Sequence, residues 1–339
     1  MIKPWGYMHD ILSCVDVDTW DLITCISTEE RTFAVADNLQ KMELLGRVGG
    51  IKILGHPLNQ ELQKFTESLS SQTEIGQAAF GHEFSSAEFE LLSKAGDLNT
   101  WYENFVGDSE SIVLDISCFP KKFFFLLAKL IIRDERIKNF IACYSVPEKY
   151  GKLPLSSQDE PCQTLPAFND DNVSDDLYDL VLIGVGYSAM AFPSFLSANC
   201  HAGDVELLLP FPPGPPSYQR NWQFIKNIND AFLHEEDIEP TRVSARNVPS
   251  IFEQICLLTE NGKRKTWFAP YGPKPMSLAM CLYACTVGNC AVYYTQPKVY
   301  SLKYSLGVRK MDDMNEAFAY FVKLGGNQIY TLDTQVHKS

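Results

Sequence analysis

The feature that most constrains this chain is an internal repetition. Residues 112–128 and 266–281 each hold a short apolar run, a turn of small residues, a Pro-Lys pair and an apolar stretch of helical character. The pairs are Pro120-Lys121 and Pro273-Lys274. A further apolar run follows each, 140–147 and 290–297, ending in an aromatic residue and a proline. Earlier runs pair too: 20–26 with 178–183, and 50–54 with 204–209. Four elements recur in one order at nearly one spacing. Because the likeness includes the turn residues, an internal duplication explains it better than chance similarity of apolar runs.

Short apolar runs bounded by turns and separated by helical stretches are the pattern of buried parallel strands with crossover helices. Helices are expected over 32–45, 59–69, 123–133, 218–232 and 275–284. The fold class expected is α/β: two tandem Rossmann-like parallel-sheet units related by internal duplication, with a C-terminal β-hairpin. The units are expected at 1–155 and 177–310. Residues 156–176, rich in Pro, Ser, Asn and Asp, are expected to link them. The hairpin and tail follow at 311–339, with Gly325 and Gly326 at the turn.

Composition narrows the function classes. The 339 residues are 45% hydrophobic and 21% charged, the balance of a folded chain with a sizeable core. Against 42 acidic residues stand 29 Lys plus Arg, for a net charge of −13. Long nucleic acid and anionic membrane surfaces need clustered cations, so neither is an expected partner. A small anionic ligand in one local basic pocket stays compatible. The most apolar stretch, near residues 123–132, contains Lys129 and stops at Arg133, too short for a membrane span. The first residues lack a signal-peptide core, so a cytoplasmic location is expected. Ten cysteines in a chain this long read as reduced core thiols.

In open α/β sheets, ligands bind beyond the carboxyl ends of the strands. Two kinds of residue are candidates there. Lys121, Lys122 and Lys274 stand at helix starts, where spare N–H groups and a cation favour an anion. Ser27, Thr28, Ser117, Tyr271, Gly272 and Ser277 lie in the same turns. Gly184, Gly186, Tyr187 and Ser188 follow a strand in a G-x-G-x-x-A pattern. That pattern lacks the acid expected at the end of the next strand, and Pro193 interrupts the helix. A glycine turn admitting some other ligand fits better than NAD. A stiff proline-rich loop, 210–217, leads to Arg220, whose fork suits phosphate or carboxylate. Cys118 beside Lys121 and Lys122 is a conceivable nucleophile. Cys281, Cys285 and Cys290 lack a fourth ligand in metal spacing. No resident metal or cofactor is expected.

The turns 115–121 and 270–277 resemble the strand-four motif of CARF and SAVED domains, sensors of cyclic oligonucleotides. The resemblance implies paired Rossmann-like units with a ligand cleft between them, a cyclic oligonucleotide as possible ligand, and a role in defence signalling through an effector protein. The expected function is sensor-like binding of a nucleotide or other phosphate ligand. The alternatives are a nucleotide-processing hydrolase and a non-catalytic adaptor subunit.

Overall fold

The computed structural model describes residues 2–55, 60–151, 159–169, 178–186, 192–199, 203–212, 218–231, 238–298, 300–301 and 304–332. In chain order the first strands and helices are β1 (Trp5–Tyr7), α1 (Met8–Leu12), β2 (Trp20–Ile26), α2 (Ala34–Lys41), β3 (Leu45–Leu54), α3 (Gln60–Phe80) and β4 (Phe84–Glu90). Next come α4 (Ala95–Val106), β5 (Ser111–Asp115), α5 (Lys121–Arg133), β6 (Asn139–Ser145) and β7 (Lys149–Tyr150). Then follow β8 (Gln163–Thr164), β9 (Leu180–Gly184), α6 (Phe192–Asn199), β10 (Asp204–Phe211) and α7 (Tyr218–Ala231). β11 (Thr241–Ser244), α8 (Val248–Leu258), β12 (Thr266–Pro270), α9 (Lys274–Thr286) and β13 (Cys290–Tyr294) complete the second half. The last strands are β14 (Ser305–Leu306), β15 (Lys310–Met311), β16 (Met314–Asn315), β17 (Ala317–Leu324) and β18 (Asn327–Gln328).

The chain divides into two units. The first sheet runs β1-β17-β6-β5-β2-β3-β4, and β2 to β6 are mutually parallel. The second runs β11-β10-β9-β12-β13-β8, with β9 to β13 parallel. Counted along the chain within each unit, both parallel cores have the order third, second, first, fourth, fifth. In both, an antiparallel strand lies beside the fifth: β17 against β6 and β8 against β13. The architecture is therefore α/β with two Rossmann-like parallel sheets. The turns Pro120-Lys121 and Pro273-Lys274 both follow the fourth strand and both open a helix.

The unit boundaries differ from those expected at 156–176, 177–310 and 311–339. Unit one is Met1–Gln158 plus Pro297–Ile329, and unit two is Asp159–Gln296 plus Tyr330–Ser339. The cause is strand pairing. β17 inserts between β1 and β6, in register Ala317 with Ser145 and Phe318 with Tyr144, so it belongs to the first sheet. β14 pairs with β7, which carries residues past 297 to the first unit. β8 pairs with β13, and Cys162, Leu165 and Phe168 are buried, so this part of the expected linker is core of the second unit. β17 and β18 do form the hairpin, turning at Gly325 and Gly326.

Sequence accounts for the elements locally. The second-unit strands Leu180–Gly184 and Thr266–Pro270 are buried throughout, as parallel strands covered on both faces must be. α5 turns Phe124, Phe125, Ala128 and Ile131 inward, and Pro120, lacking an N–H, precedes its first turn. α9 is buried on nearly all sides from Pro275 to Ala284 and packs on α8, while α6 packs on α7. Among the described residues no helix is long and apolar enough to cross a membrane.

At the far end of α5, Asp134 accepts hydrogen bonds from the Tyr102 hydroxyl of α4 (3.0 Å) and the Arg136 backbone N–H (3.0 Å). Burial raises its pKa, but the Arg136 and Tyr102 hydrogen bonds outweigh that and hold the carboxyl below its ordinary value. Its folded form therefore takes up a proton less readily than the unfolded chain. The stabilisation is complete above the ordinary Asp value of about 3.9 and is lost as pH falls through the lower folded value. Urea midpoints measured down from neutral pH should fall in that acid window, and Asp134→Asn should flatten the slope there.

Candidate functional site

The carboxyl edge of the first sheet is filled by its own side chains. Arg31, between β2 and α2, is 4% exposed. Its Nε donates to Glu29 Oε2 (2.9 Å) and its Nη1 to the Ser145 carbonyl (3.0 Å) at the end of β6. Its guanidinium lies 5.7 Å from the Tyr144 ring centroid. The Glu29 carboxylate also accepts a hydrogen bond from the Ser305 hydroxyl of β14. Residues after 297 continue across this edge: Gly151 N–H donates to the Tyr304 carbonyl (2.8 Å), and Arg309 N–H to that of Val146 (2.9 Å). A half-buried carboxylate, held by a buried guanidinium, thus lies at the edge where an anionic ligand was expected.

The first-unit candidates serve this internal network. The Ser27 hydroxyl shares a hydrogen bond with Thr32 (3.0 Å) and accepts from Glu29 N–H (3.0 Å). Thr28 is half-buried beside it. Ser117 is 1% exposed; its hydroxyl donates to Asp115 and accepts from the Ser145 N–H at 2.7 Å. Lys121 is buried, and Lys122 donates to the carbonyls of Leu91 (3.2 Å) and Ser93 (3.1 Å). Cys118 is not an activated thiol. Burial, and then the Glu29 charge, push its pKa up to about 12, and Arg31 only partly opposes them. Of the neighbouring lysines expected to lower it, Lys122 is turned to the Leu91 and Ser93 carbonyls.

The second unit has the same strand order as the first, but its carboxyl edge is filled differently. Its first and fourth strands, β9 and β12, are neighbours, so the chain leaves them in opposite directions along the sheet. This is the topological switch point where ligands of open α/β sheets bind. The turns after these strands pack directly on each other. A methyl group on Gly186 would come within 2.6 Å of the Tyr271 carbonyl oxygen and 2.9 Å of Gly272 Cα. One on Gly184 would meet Met276 Sδ at 2.9 Å. Close chain packing, not approach of a ligand, accounts for both glycines.

Tyr271 is core. It is 1% exposed, and its ring lies 4.5 Å from Phe192, 5.4 Å from Tyr294 and 5.8 Å from Phe224. Its hydroxyl shares a hydrogen bond with Thr295 Oγ1 (2.8 Å) and accepts from the Thr295 N–H (3.2 Å). Ser277 donates back to the carbonyls of Pro270 and Gly272 (both 3.3 Å), closing the turn. Lys274 is the first residue of α9 and is half-buried. Arg220 lies in the first turn of α7, but its side chain is outside the described residues. Tyr187, Ser188 and residues 213–217 of the proline-rich loop also lie outside them. α6 spans Phe192–Asn199, with Pro193 in its first turn.

Three residues escaped the sequence reading. Glu29 and Arg31 were legible as a charged run directly after an apolar strand. Asn221 interrupts an apolar helix stripe with Phe224, Ile225 and Ile228, and it is 1% exposed. Among the described residues, neither end of its carboxamide has a hydrogen-bond partner. Among the described residues no group of three His, Cys, Asp or Glu side chains is placed to hold a metal ion.

No family model and no curated protein matches the chain. Among solved structures it is similar to the cytoplasmic domain of a prokaryotic cation chloride cotransporter. The identity is 8% and the TM-score 0.23, over 83% of this chain and 96% of that one. A score that low carries no argument about this chain.

Proposed function

We propose that this chain is a sensor-like binding protein for a phosphate-bearing small molecule, with its site at the carboxyl edge of the second sheet. The observation that carries the reading is a local reversal of charge. In a chain of net charge −13, residues 184–190, 210–220, 270–277 and 294–296 contain no Asp or Glu. They contain Arg220 and Lys274, each in the first turn of a helix. The corresponding edge of the first unit holds the Glu29 carboxylate instead. Helix starts supply spare N–H donors and a positive dipole end, and a cation there completes an anion site.

The inert Cys118 and the internally bonded Ser27, Ser117 and Ser277 favour binding over nucleophilic chemistry. On this reading the chain works in the cytoplasm and passes its signal to a protein partner. Pyrophosphate, nucleoside diphosphates and cyclic oligonucleotides, titrated calorimetrically, are the probes. Lys274→Ala should weaken binding by about 1.5–3 kcal/mol, roughly tenfold to a hundredfold. Lys122→Ala, in the first unit, should leave affinity unchanged. Unaltered affinity in Lys274→Ala, or equal loss in both variants, overturns the assignment.

A further inference from the structure

We propose that the ligand of this edge carries a nucleobase and that Asn221 reads it. The inference rests on the preceding reading for the phosphate end and adds the other end. In α7, Asn221, Phe224, Ile225 and Ile228 form the buried stripe, while Trp222, Gln223 and Lys226 face outward. The Phe224 ring lies against Phe192 (6.3 Å) and Tyr271 (5.8 Å). Asn221 precedes it by one turn on the same face, and helical side chains tilt towards the helix start. Its carboxamide is therefore directed to the carboxyl edge, where the Gly186 and Tyr271-Gly272 turns meet.

Both Oδ1 and Nδ2 are buried and, among the described residues, without a partner. Native proteins almost always satisfy such groups, and an apolar residue would suit this stripe better. A partner that supplies both bonds removes a penalty carried by the free protein, which is a gain specific to the bound state. Bare phosphate offers acceptors only and would leave Oδ1 unsatisfied. A base edge with a donor beside an acceptor matches both ends, as the adenine N6 and N7 pair does for an Asn carboxamide. An aromatic residue at the same edge, Phe211 at the end of β10, is 57% exposed and offers a face for stacking. Since both amide atoms are covered in the free protein, binding includes a small opening of the first turn of α7.

The test titrates the full chain with ADP and with pyrophosphate, for wild type and Asn221→Leu, and records the melting temperature of each. Wild type should bind ADP roughly tenfold to a hundredfold more tightly than pyrophosphate. Asn221→Leu should abolish that difference, leave pyrophosphate affinity alone, and melt no lower than wild type. The proposal is overturned if wild type binds the two probes equally, or if Asn221→Leu keeps the full ADP preference; the amide then meets an ordered water only. The wild-type comparison decides the matter even if the variant fails to fold. If neither probe binds, the phosphate site itself fails and the base reading falls with it. If pyrophosphate binds in a Lys274-dependent way without an ADP preference, only the base reading falls.

Discussion

Arg31→Leu is expected to destabilise the first unit by about 3–5 kcal/mol, read as a lowered urea midpoint at unchanged slope. The side chains of Arg31 and Glu29 are only 4% and 16% exposed. Removing the guanidinium takes the Arg31 donor from a carboxylate that also accepts from the Ser305 hydroxyl. It also takes a donor from the Ser145 carbonyl. The double variant Arg31→Leu with Glu29→Leu should recover much of the loss, because replacing both charges with apolar groups removes the desolvation penalty together with the attraction. Ligand affinity should stay at the wild-type value in both, since the proposed site lies in the other unit. A loss below about 1 kcal/mol in the single variant would mean that water reaches the pair and that the edge is not filled in the way described.

That edge shows what sequence reveals and what it hides. The parallel strands were legible because burial on both faces demands continuous apolar runs, as in Leu180–Gly184 and Thr266–Pro270. The Pro-Lys turns were legible because proline fits a helix start and little else nearby. The partner of β17 was not. Its fit between β1 and β6 depends on pairing across more than half the chain, which no local pattern encodes. α4 was missed for another reason. Its N-cap Lys94 makes no side-chain capping bond, and its apolar stripe of Leu98, Tyr102 and Phe105 is short. The candidate residues were drawn from the turns that follow the parallel strands, because turn composition marks the carboxyl edge. Whether their polar groups already hold one another could not be seen. Ser117 reaches Asp115 locally, but its contact with Ser145 requires the strands β5 and β6 to be side by side.

Tyr271→Ala is expected to destabilise the second unit by about 3–5 kcal/mol, the range for an aromatic side chain lost from a packed core. The ring fills space bounded by Phe192, Phe224 and Tyr294, and none of these can follow it without leaving its own contacts. Tyr271→Phe keeps the ring and removes the hydroxyl alone. It should cost about 1–3 kcal/mol, because the Thr295 hydroxyl and N–H both lose their partner at a buried position. Thermal unfolding and ligand titration on the same samples separate a core role from a binding role. A core tyrosine gives a lower melting temperature with unchanged affinity below the transition. A ligand-contacting tyrosine gives the reverse, and that outcome would return Tyr271 to the site. The comparison with Asn221→Leu sharpens the point. Phe224 lies against Tyr271, one turn below Asn221, yet the two substitutions should shift stability in opposite directions. Removing a satisfied hydroxyl orphans its partners, whereas removing an unsatisfied carboxamide orphans nothing.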